Sequence, residues 1–453
     1  MTYSIIKKSQ LEGALRLDAE YYQPEYLDAA NKITGIKYTT IKKLAEKVFS
    51  GPFGSTLKSE SYQNFGIPFI RIGDISDIFI QKENLIFISE NEHRRIYSTR
   101  LNPGDIVLSK IGTVGRLSVI SNELGEVNIS ENNIGIRLQN LDENLRSFIL
   151  FFLLGKYGQS QIIRKASGNI QLKLNVIDIE NLILPVAQRD QNELFANYFR
   201  QITESRNESI NFYREAENLL LKELGLENFK SEKKLFSIVN FSDCQKANRI
   251  DPDFYQQKYF DILSAISKNK SEKIKNIAKR INGNQKIIRD REYNYTKISD
   301  IDISSGSANS NKIIGKDLPA NAKIRITGGE LAISKVRPTR GAIAIIPEKF
   351  SENHIISGAF SVYEVNSPIR EYLQVVLKSI IGKLQMERPT TGTSYPTITD
   401  QDVENLLIPI LPKAIQEKIA DFVRLSHSAR QKSKELLESA KKKVEELIEE
   451  EGD

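Results

Sequence analysis

Arg16-Leu-Asp-Ala-Glu-Tyr-Tyr-Gln-Pro-Glu-Tyr-Leu-Asp28 recurs 233 positions later as Arg249-Ile-Asp-Pro-Asp-Phe-Tyr-Gln-Gln-Lys-Tyr-Phe-Asp261. Six of the thirteen positions are identical, whereas unrelated segments of ordinary composition would share about one. A repeat of this kind determines the architecture before any local feature does. The segment therefore predicts that the chain contains two copies of one structural unit.

The repeat continues in the same order along most of the chain. Gly104-Asp-Ile-Val-Leu-Ser-Lys110 matches Gly329-Glu-Leu-Ala-Ile-Ser-Lys335, and Ile179-Glu-Asn-Leu-Ile-Leu-Pro185 matches Val403-Glu-Asn-Leu-Leu-Ile-Pro409. The offset falls from 233 to 224 residues, which indicates small deletions in the second copy. Because this period is far too long for a solenoid, we expect two homologous domain-sized units related by a pseudo-twofold axis.

Each copy begins with a globular part of mixed character. Short β-rich runs bounded by Gly, Pro and Asn predict strands at 67–72, 105–109, 116–120 and 341–346. Between them, apolar stretches at 146–157 and 370–386 predict helices. The predicted fold class is therefore mixed α/β (α+β).

A long segment without Pro or Gly follows each globular part. Residues 190–224 and 414–451 carry apolar stripes at helical spacing, and both stripes fade in the middle, over 203–209 and 427–433. Such stripes favour an antiparallel two-helix coiled coil. The alternative is two unrelated amphipathic helices, each packed on its own domain. The predicted domain ranges are 1–188, 189–230, 231–412 and 413–453.

Composition excludes several classes of protein. With 453 residues, 64 Lys and Arg against 58 Asp and Glu, and 40% hydrophobic residues, the chain is folded and mildly basic rather than disordered. The single Cys244 excludes an internal disulfide or a thiolate zinc cluster, and the three histidines are far apart in sequence. The longest apolar run, 148–154, is too short to span a bilayer. We therefore expect a cytoplasmic protein without a membrane segment.

Three further motifs point to a known family. They are Ser50-Gly-Pro-Phe-Gly-Ser-Thr-Leu-Lys58 followed by Gly66-Ile-Pro-Phe-Ile-Arg-Ile-Gly-Asp74, the Pro-Gly-Asp-Ile-Val-Leu-Ser-Lys run at 103–110, and Thr391-Gly-Thr-Ser-Tyr-Pro-Thr-Ile398. With the two long helices, they make nearly the whole chain resemble the specificity subunits of type I restriction-modification systems.

The resemblance implies two target recognition domains, 1–188 and 231–412, each reading one half of a split DNA site. It also implies that the two helices act as a ruler between the domains and dock methyltransferase subunits. A helix of about 35 residues is roughly 50 Å long, or about 15 base pairs of B-DNA. The second half has Ile281-Asn-Gly-Asn-Gln285 in place of the Gly-Pro-Phe-Gly-Ser loop. We therefore expect the two half-sites to differ.

Polar and basic residues on Gly-rich loops are the candidates for DNA contact, because base edges and phosphates are bound by Arg, Lys, Ser and Thr. A solvated surface cation or a turn cap is the alternative role for each of them. The candidates are Ser55, Lys58, Arg71, Lys110, Arg116 and Lys165 in the first unit, and Lys335, Arg337, Arg340, Arg388, Thr393 and Ser394 in the second.

The sequence argues against catalysis by this chain. Asp251-Pro-Asp-Phe254 is the nearest segment to the base-holding loop of amino-methyltransferases, but it lacks the second proline and has a repeat partner at 18–21. The sequence contains no G-x-x-x-x-G-K-[ST] phosphate-binding loop. We expect a chain without catalytic, cofactor or metal residues.

The resemblance assigns S-adenosylmethionine and ATP to partner subunits. The expected partners are double-stranded DNA, two methyltransferase subunits and restriction (translocase-nuclease) subunits. Two alternatives remain open at this point. One is a fragment of a bifunctional methyltransferase-endonuclease, and the other is a coiled-coil scaffold that binds protein only.

Overall fold

The computed structural model describes residues 4–11, 16–52, 57–76, 78–82, 85–168, 171–231, 236–283, 286–348, 353–392 and 395–452. The chain divides into two compact units. Unit 1 contains Met1–Glu204 and Ser433–Asp453, and unit 2 contains Ser205–Lys432. This division runs through both long helices, whereas the predicted domain boundaries lie at the helix ends.

Unit 1 is a mixed α/β structure. Its strands are β1 (Tyr38–Thr40), β2 (Lys47–Ser50), β3 (Ile67–Ile70), β4 (Ile78–Phe79), β5 (Ile86–Ile88), β6 (Arg100–Leu101), β7 (Ile106–Ser109), β8 (Leu117–Val119), β9 (Val127–Ile129), β10 (Asn133–Arg137) and β11 (Ile183–Pro185). Its helices are α1 (Pro24–Thr34), α2 (Ile41–Leu44), α3 (Glu90–Arg95), α4 (Glu143–Leu154), α5 (Lys156–Lys165), α6 (Val176–Glu180) and the first part of α7 (Arg189–Glu223).

The strands of unit 1 form three sheets. One has the order β2-β10-β7-β8-β4, the second has the order β5-β3-β9-β6, and the third pairs β1 with β11. Strand pairs β4–β8 and β3–β9 are parallel, and the others are antiparallel. Strands β7 and β10 are buried along their whole length, and burial on both faces explains the continuous apolar run Ile106-Val107-Leu108 of β7.

Unit 2 has the same kinds of element. Its strands are β12 (Ser271–Lys273), β13 (Lys279–Arg280), β14 (Glu292–Thr296), β15 (Ile301–Asp302), β16 (Ser307–Ala308), β17 (Asn311–Ile314), β18 (Ala322–Ile326), β19 (Leu331–Ser334), β20 (Ile343–Ile345), β21 (His354–Ser357), β22 (Phe360–Glu364) and β23 (Leu407–Pro409). Its helices are α8 (Phe241–Ala247), α9 (Gln257–Ile266), α10 (Ile274–Ile277), α11 (Ile369–Lys378), α12 (Ile380–Glu387), α13 (Asp400–Glu404) and the first part of α14 (Lys413–Gly452).

Sheet topology confirms the repeat that the sequence predicts. The order β13-β22-β19-β20-β16-β15 reproduces the first sheet of unit 1 with one added edge strand, and β17-β14-β21-β18 reproduces the second. The parallel pairs also recur, as β16–β20 and β14–β21. The repeated Glu-Asn-Leu-x-x-Pro motif forms the short strand that pairs with β1 in unit 1 and with β12 in unit 2.

Local signals explain where the helices begin and end. The carboxylate of Asp142 accepts a hydrogen bond from Leu145 N at 2.8 Å and caps α4, which ends before Gly155. The predicted helix at 370–386 is two helices, because Ser379 has an extended backbone and caps the start of α12. The predicted long helices are confirmed as α7 and α14 to within one residue at each end.

Each unit contains one half of the two-helix pair. In unit 1, Phe195 and Ile202 of α7 share an apolar core with Leu437, Ala440 and Val444 of α14. In unit 2, a second core joins the two helices at a set of equivalent positions, namely Tyr213, Ala216, Leu220, Ile419 and Val423. Apolar packing of this kind is what the two stripes predict.

Buried serines explain why both stripes fade in their middle. In unit 1, Ser433 Oγ donates a hydrogen bond to the carbonyl of Ile202 at 3.1 Å. In unit 2, Ser426 Oγ donates to the carbonyl of Ser209 at 2.7 Å. The second contact lies one heptad later on α7 and one heptad earlier on α14, so the helices run antiparallel. None of the described helices has the length and hydropathy needed to cross a membrane.

Candidate nucleic-acid interface

The turn between β7 and β8 of unit 1 is held against a loop that is distant in sequence. Leu174 N donates to the carbonyl of Lys110 at 3.0 Å, and Gly112 N donates to the carbonyl of Leu172 at 3.2 Å. A β-bridge joins Ile111 to Lys173. We call residues 110–116 with the described residues of 167–173 the turn–loop pair of unit 1. The turn that carries the candidates Lys110 and Arg116 therefore lies beside the loop that follows Lys165.

Unit 2 contains the same turn–loop pair, formed by 335–341 with the described residues of 391–398. Ile398 N donates to the carbonyl of Lys335 at 3.0 Å, and Arg337 N donates to the carbonyl of Pro396 at 2.7 Å. A β-bridge joins Val336 to Thr397. Every backbone contact of the first pair thus recurs at an equivalent position, although few of the side chains are the same.

The end of β2 adjoins the turn–loop pair of unit 1. The ammonium group of Lys110 donates a hydrogen bond to Ser50 Oγ at 2.9 Å, and Gly51 N donates to the carbonyl of Asn133 at 3.1 Å. A Cβ atom at Gly51 would lie 2.0 Å from the carbonyl oxygen of Ser130, so this close approach requires glycine. Ser50 and Gly51 are thereby fixed beside the turn. Ser55 lies outside the described residues.

Three other basic candidates of unit 1 are placed by their neighbours in the structure. Arg116 is exposed in the turn, and Lys165 ends α5 two residues before Ser167. Arg71 follows Ile70, whose carbonyl accepts hydrogen bonds from Ser130 N and Asn133 Nδ2. Lys165 thus adjoins the loop of the turn–loop pair, whereas Arg71 follows a strand residue that is bonded to Ser130 and Asn133.

Arg71 and Lys58 have different surroundings. Arg71 Nε lies 3.3 Å from Oδ2 of Asp74, and burial raises the pKa of Asp74 although Arg71 itself opposes that shift. Lys58 is exposed, just before the short turn Ser59–Ser61. No hydrogen bond or ion pair joins Lys58 to the described part of the turn–loop pair.

Lys335 of unit 2 pairs with a carboxylate, whereas its equivalent Lys110 pairs with a hydroxyl. Its ammonium nitrogen lies 3.0 Å from Oδ1 of Asp400, which also forms an ion pair with Arg280 at 2.9 Å and accepts a hydrogen bond from Ser361. Burial alone would raise the pKa of Asp400, but these partners outweigh it and lower the pKa. The carboxylate therefore stays ionised and neutralises part of the positive charge at this surface.

Arg337 has an unusual backbone conformation. Its φ and ψ are 49° and 53°, a left-handed conformation that disfavours side chains with a Cβ atom. The equivalent residue of unit 1 is Gly112, with φ of 77°. The guanidinium of Arg337 lies 4.5 Å from the ring centroid of Tyr395, whose side chain is 67% exposed. An arginine and an aromatic ring are thus presented together where unit 1 has glycine and Gln171.

The remaining candidates of unit 2 divide into two groups. Arg340 is exposed at the end of the turn. Arg388, by contrast, is half-buried, with its guanidinium 4.4 Å from the ring of Phe254 and 5.0 Å from that of Phe260. Burial lowers the pKa of Arg388. These contacts give Arg388 partners inside its own unit. Thr393 and Ser394 lie outside the described residues.

Ser50, Gln171 and Tyr395 are not among the single residues that the sequence singles out, although each lies at one end of a loop that it predicts to contact DNA. The offset of 224 residues already aligns Gln171 with Tyr395, so the repeat contained a signal for both. Ser50 had no such signal, because its contact with Lys110 depends on strand pairing between distant segments. Among the described residues, no cluster of three or more His, Cys, Asp or Glu side chains is placed to hold a metal ion.

Comparisons with known proteins agree on one family. The family model described as type I restriction modification DNA specificity domain matches residues 35–212 and 266–426. The type I restriction enzyme MjaX specificity subunit of Methanocaldococcus jannaschii is 23% identical over 417 residues, covering 87% of this chain and 89% of that protein. The HindI specificity subunit of Haemophilus influenzae is 30% identical over 131 residues, 27% of this chain and 28% of that protein.

Solved structures of the same kind are also similar to this chain. The S subunit of a type I restriction-modification system from M. genitalium has a TM-score of 0.37 at 15% identity, over 91% of this chain and 95% of that chain. The HsdS subunit from Thermoanaerobacter tengcongensis has a TM-score of 0.29 at 12% identity, over 92% of this chain and 96% of that chain.

Proposed function

The chain belongs to the type I restriction modification DNA specificity family and is a DNA-recognition subunit, and from this premise we propose that its two units read the two halves of a split, asymmetric DNA site. Each half-site would be read by the turn–loop pair of one unit. Sequence is read through side chains that reach base edges in the grooves, while phosphate contacts fix the position of the protein.

One observation carries this proposal: the two turn–loop pairs share their backbone contacts and differ in their side chains. Unit 1 presents Gly112 and Gln171, whereas unit 2 presents Arg337 and Tyr395 at the equivalent positions. A shared scaffold with different donors, acceptors and charges would select different bases. The two half-sites should therefore differ in sequence.

Catalysis belongs to other subunits in this proposal. The Asp251-Pro-Asp-Phe254 segment supports that view, because Asp251 forms an ion pair with Arg249 that recurs in unit 1 between Asp18 and Arg16. A doubled ion pair is typical of a structural element of the repeat. S-adenosylmethionine would bind to methyltransferase partners, two of which fit a chain with two homologous units, and ATP would bind to a restriction partner.

Exchange of one unit tests the proposal. Residues 1–186 are replaced by those of a relative, and the methylated sites of the host are sequenced with the original chain, with the exchanged chain and without either. We expect one half-site to change and the other to stay the same, and we expect the bipartite motif to disappear without the chain. A change in both halves, or in neither, would contradict the assignment of one half to each unit.

Two further measurements address the alternatives. A protein-binding scaffold would show no salt-sensitive affinity for DNA, whereas a DNA-recognition subunit loses affinity steeply as salt increases. Calorimetry of the purified chain with S-adenosylmethionine should detect no binding. Binding of the cofactor would favour a bifunctional methyltransferase instead.

A further inference from the structure

An aromatic ring lies between two guanidinium groups in each unit. In unit 1, Tyr21 has Arg16 at 4.3 Å from its ring centroid and Arg164 at 4.2 Å. In unit 2, Phe254 has Arg249 at 5.0 Å and Arg388 at 4.4 Å. We call each set of three residues an arginine clamp. Cation–π contacts of this kind hold an arginine in one orientation, and here two arginines share one ring.

The first arginine of each clamp also binds the end of a helix. Arg16 donates to the carbonyl oxygens of Lys165 at 3.3 Å and Ala166 at 3.0 Å. Carbonyl groups at the end of an α-helix have no partner within the helix, and α5 ends at Lys165. Arg16 therefore satisfies carbonyls directly at the point where the loop of the turn–loop pair begins, at Ser167.

Unit 2 repeats these contacts with a different local sequence. Arg249 donates to the carbonyl oxygens of Pro389 at 3.2 Å and Thr390 at 3.4 Å, just after the end of α12. The next residue, Thr391, forms a β-bridge with Thr397 inside the turn–loop pair. In each unit, the carbonyl groups that the first arginine binds are thus adjacent in sequence to the loop.

The first arginine of each clamp also forms an ion pair with an aspartate two residues later in the chain. Arg16 Nε lies 2.6 Å from Oδ1 of Asp18, and Arg249 Nε lies 2.5 Å from Oδ1 of Asp251. These hydrogen bonds lower the pKa of both carboxyl groups, so the ion pairs persist at neutral pH. The side chains of these ion pairs remain about a quarter to two-fifths exposed, whereas Tyr21 and Arg164 are buried.

Resting on the proposed function, we infer that Arg16 and Arg249 are positioning residues for DNA recognition. Each one fixes the starting point of the loop that its unit presents to its half-site, and it does so without touching DNA. Loss of the clamp would remove these contacts and leave the backbone hydrogen bonds and β-bridges between the loop and its turn. Because base contacts need accurate placement of their side chains, discrimination should fall more than overall affinity.

The test uses the full-length chain and a pool of randomised DNA duplexes, from which bound sequences are selected and sequenced. In Arg16→Ala, we expect preference for the correct bases in one half-site to fall by about tenfold, with the other half-site unchanged. Arg249→Ala should give the reciprocal result. Arg94→Ala, which removes an exposed arginine paired with a carboxylate on its own helix, is the matched surface control.

Further variants separate positioning from folding. Tyr21→Phe copies the ring that unit 2 uses and should retain full discrimination, whereas Tyr21→Ala should behave like Arg16→Ala. If Arg16→Ala does not fold, Arg16→Lys carries the test, because lysine keeps the charge but cannot reach both carbonyls and the carboxylate together. Denaturant unfolding of every variant shows whether the fold persists.

The outcomes separate this inference from the proposed function. If the unaltered chain enriches no bipartite motif, the proposed function is wrong. If it enriches one and folded Arg16 variants keep both half-sites intact, the positioning role is wrong. Equal loss in both half-sites would also overturn it, because Arg16 and Arg249 each contact the start of the loop of their own unit.

Discussion

The ammonium nitrogen of Lys335 lies 3.0 Å from Oδ1 of Asp400, whereas Lys110, its equivalent in the other unit, donates to the hydroxyl of Ser50 at 2.9 Å. Among the residues that the structure describes, Lys110 has a hydroxyl partner that leaves its charge uncompensated, whereas the carboxylate of Asp400 compensates that of Lys335. The two units should therefore contribute unequally to the electrostatic part of DNA binding, although their backbones match at this point.

Lys110→Ala should reduce the salt dependence of DNA binding more than Lys335→Ala does. Removal of one phosphate contact lowers the slope of log K against log salt concentration by about 0.9, and we expect a change of that size only for Lys110. Fluorescence anisotropy with a duplex of random sequence, at several salt concentrations, measures both slopes. Asp400→Asn should increase the slope, because it releases the charge of Lys335. Equal slopes for the two lysine variants would contradict this assignment.

Arg337→Gly should be more stable than Arg337→Ala by about 1 kcal/mol, because only glycine adopts the left-handed backbone without steric cost. Both variants lose the contact with Tyr395, so the comparison isolates the backbone. Denaturant unfolding gives the two free energies of unfolding. The matched controls are Lys323→Gly and Lys323→Ala, at an exposed position of strand β18. There the alanine variant should be the more stable of the two. Equal stabilities at position 337 would argue against a left-handed Arg337.

Unit 2 should lose stability as pH falls from about 6.5 to about 4. Burial lowers the pKa of His354 to about 4, whereas the imidazole of an unfolded chain protonates near pH 6.5. Between these values the unfolded state binds more protons at His354 and at His427, whose pKa burial also lowers to about 4, so each imidazole reduces stability by about 1.4 kcal/mol per pH unit. Unfolding of the unaltered chain and of His354→Gln at several pH values measures this. An unchanged pH dependence in the variant would assign the effect to other groups.

Insertion of four residues between 203 and 209 should lengthen the spacer of the recognised DNA site by one or two base pairs. The insertion adds about one turn, or roughly 6 Å, to α7, and both half-sites should keep their sequences. A two-residue insertion rotates one apolar stripe by about 200° and should instead destabilise the helix pair. Sequencing of methylated sites measures the spacer. An unchanged spacer with an active four-residue variant would refute the role of the helices as a ruler.

The elements that sequence predicted well are those with local causes. Helices α7 and α14 follow from long stripes without Gly or Pro, and the repeat follows from direct comparison of residues. The role of Arg388 was not predictable, because an arginine near a Gly-rich loop has the same sequence signal whether it faces solvent or packs on Phe254. The buried serines were also missed, since a gap in a stripe does not reveal a hydrogen bond to the facing helix.

The backbone hydrogen bonds that join each turn to its loop have an evolutionary consequence. They run between main-chain groups, so different side chains at positions such as 171 and 395 leave these hydrogen bonds intact. A duplicated gene with this property can acquire a new target in one half while the other half and the helices keep their sequences. Selection can thus diversify the two halves independently, and recombination between related genes can generate new pairings of halves in a single event.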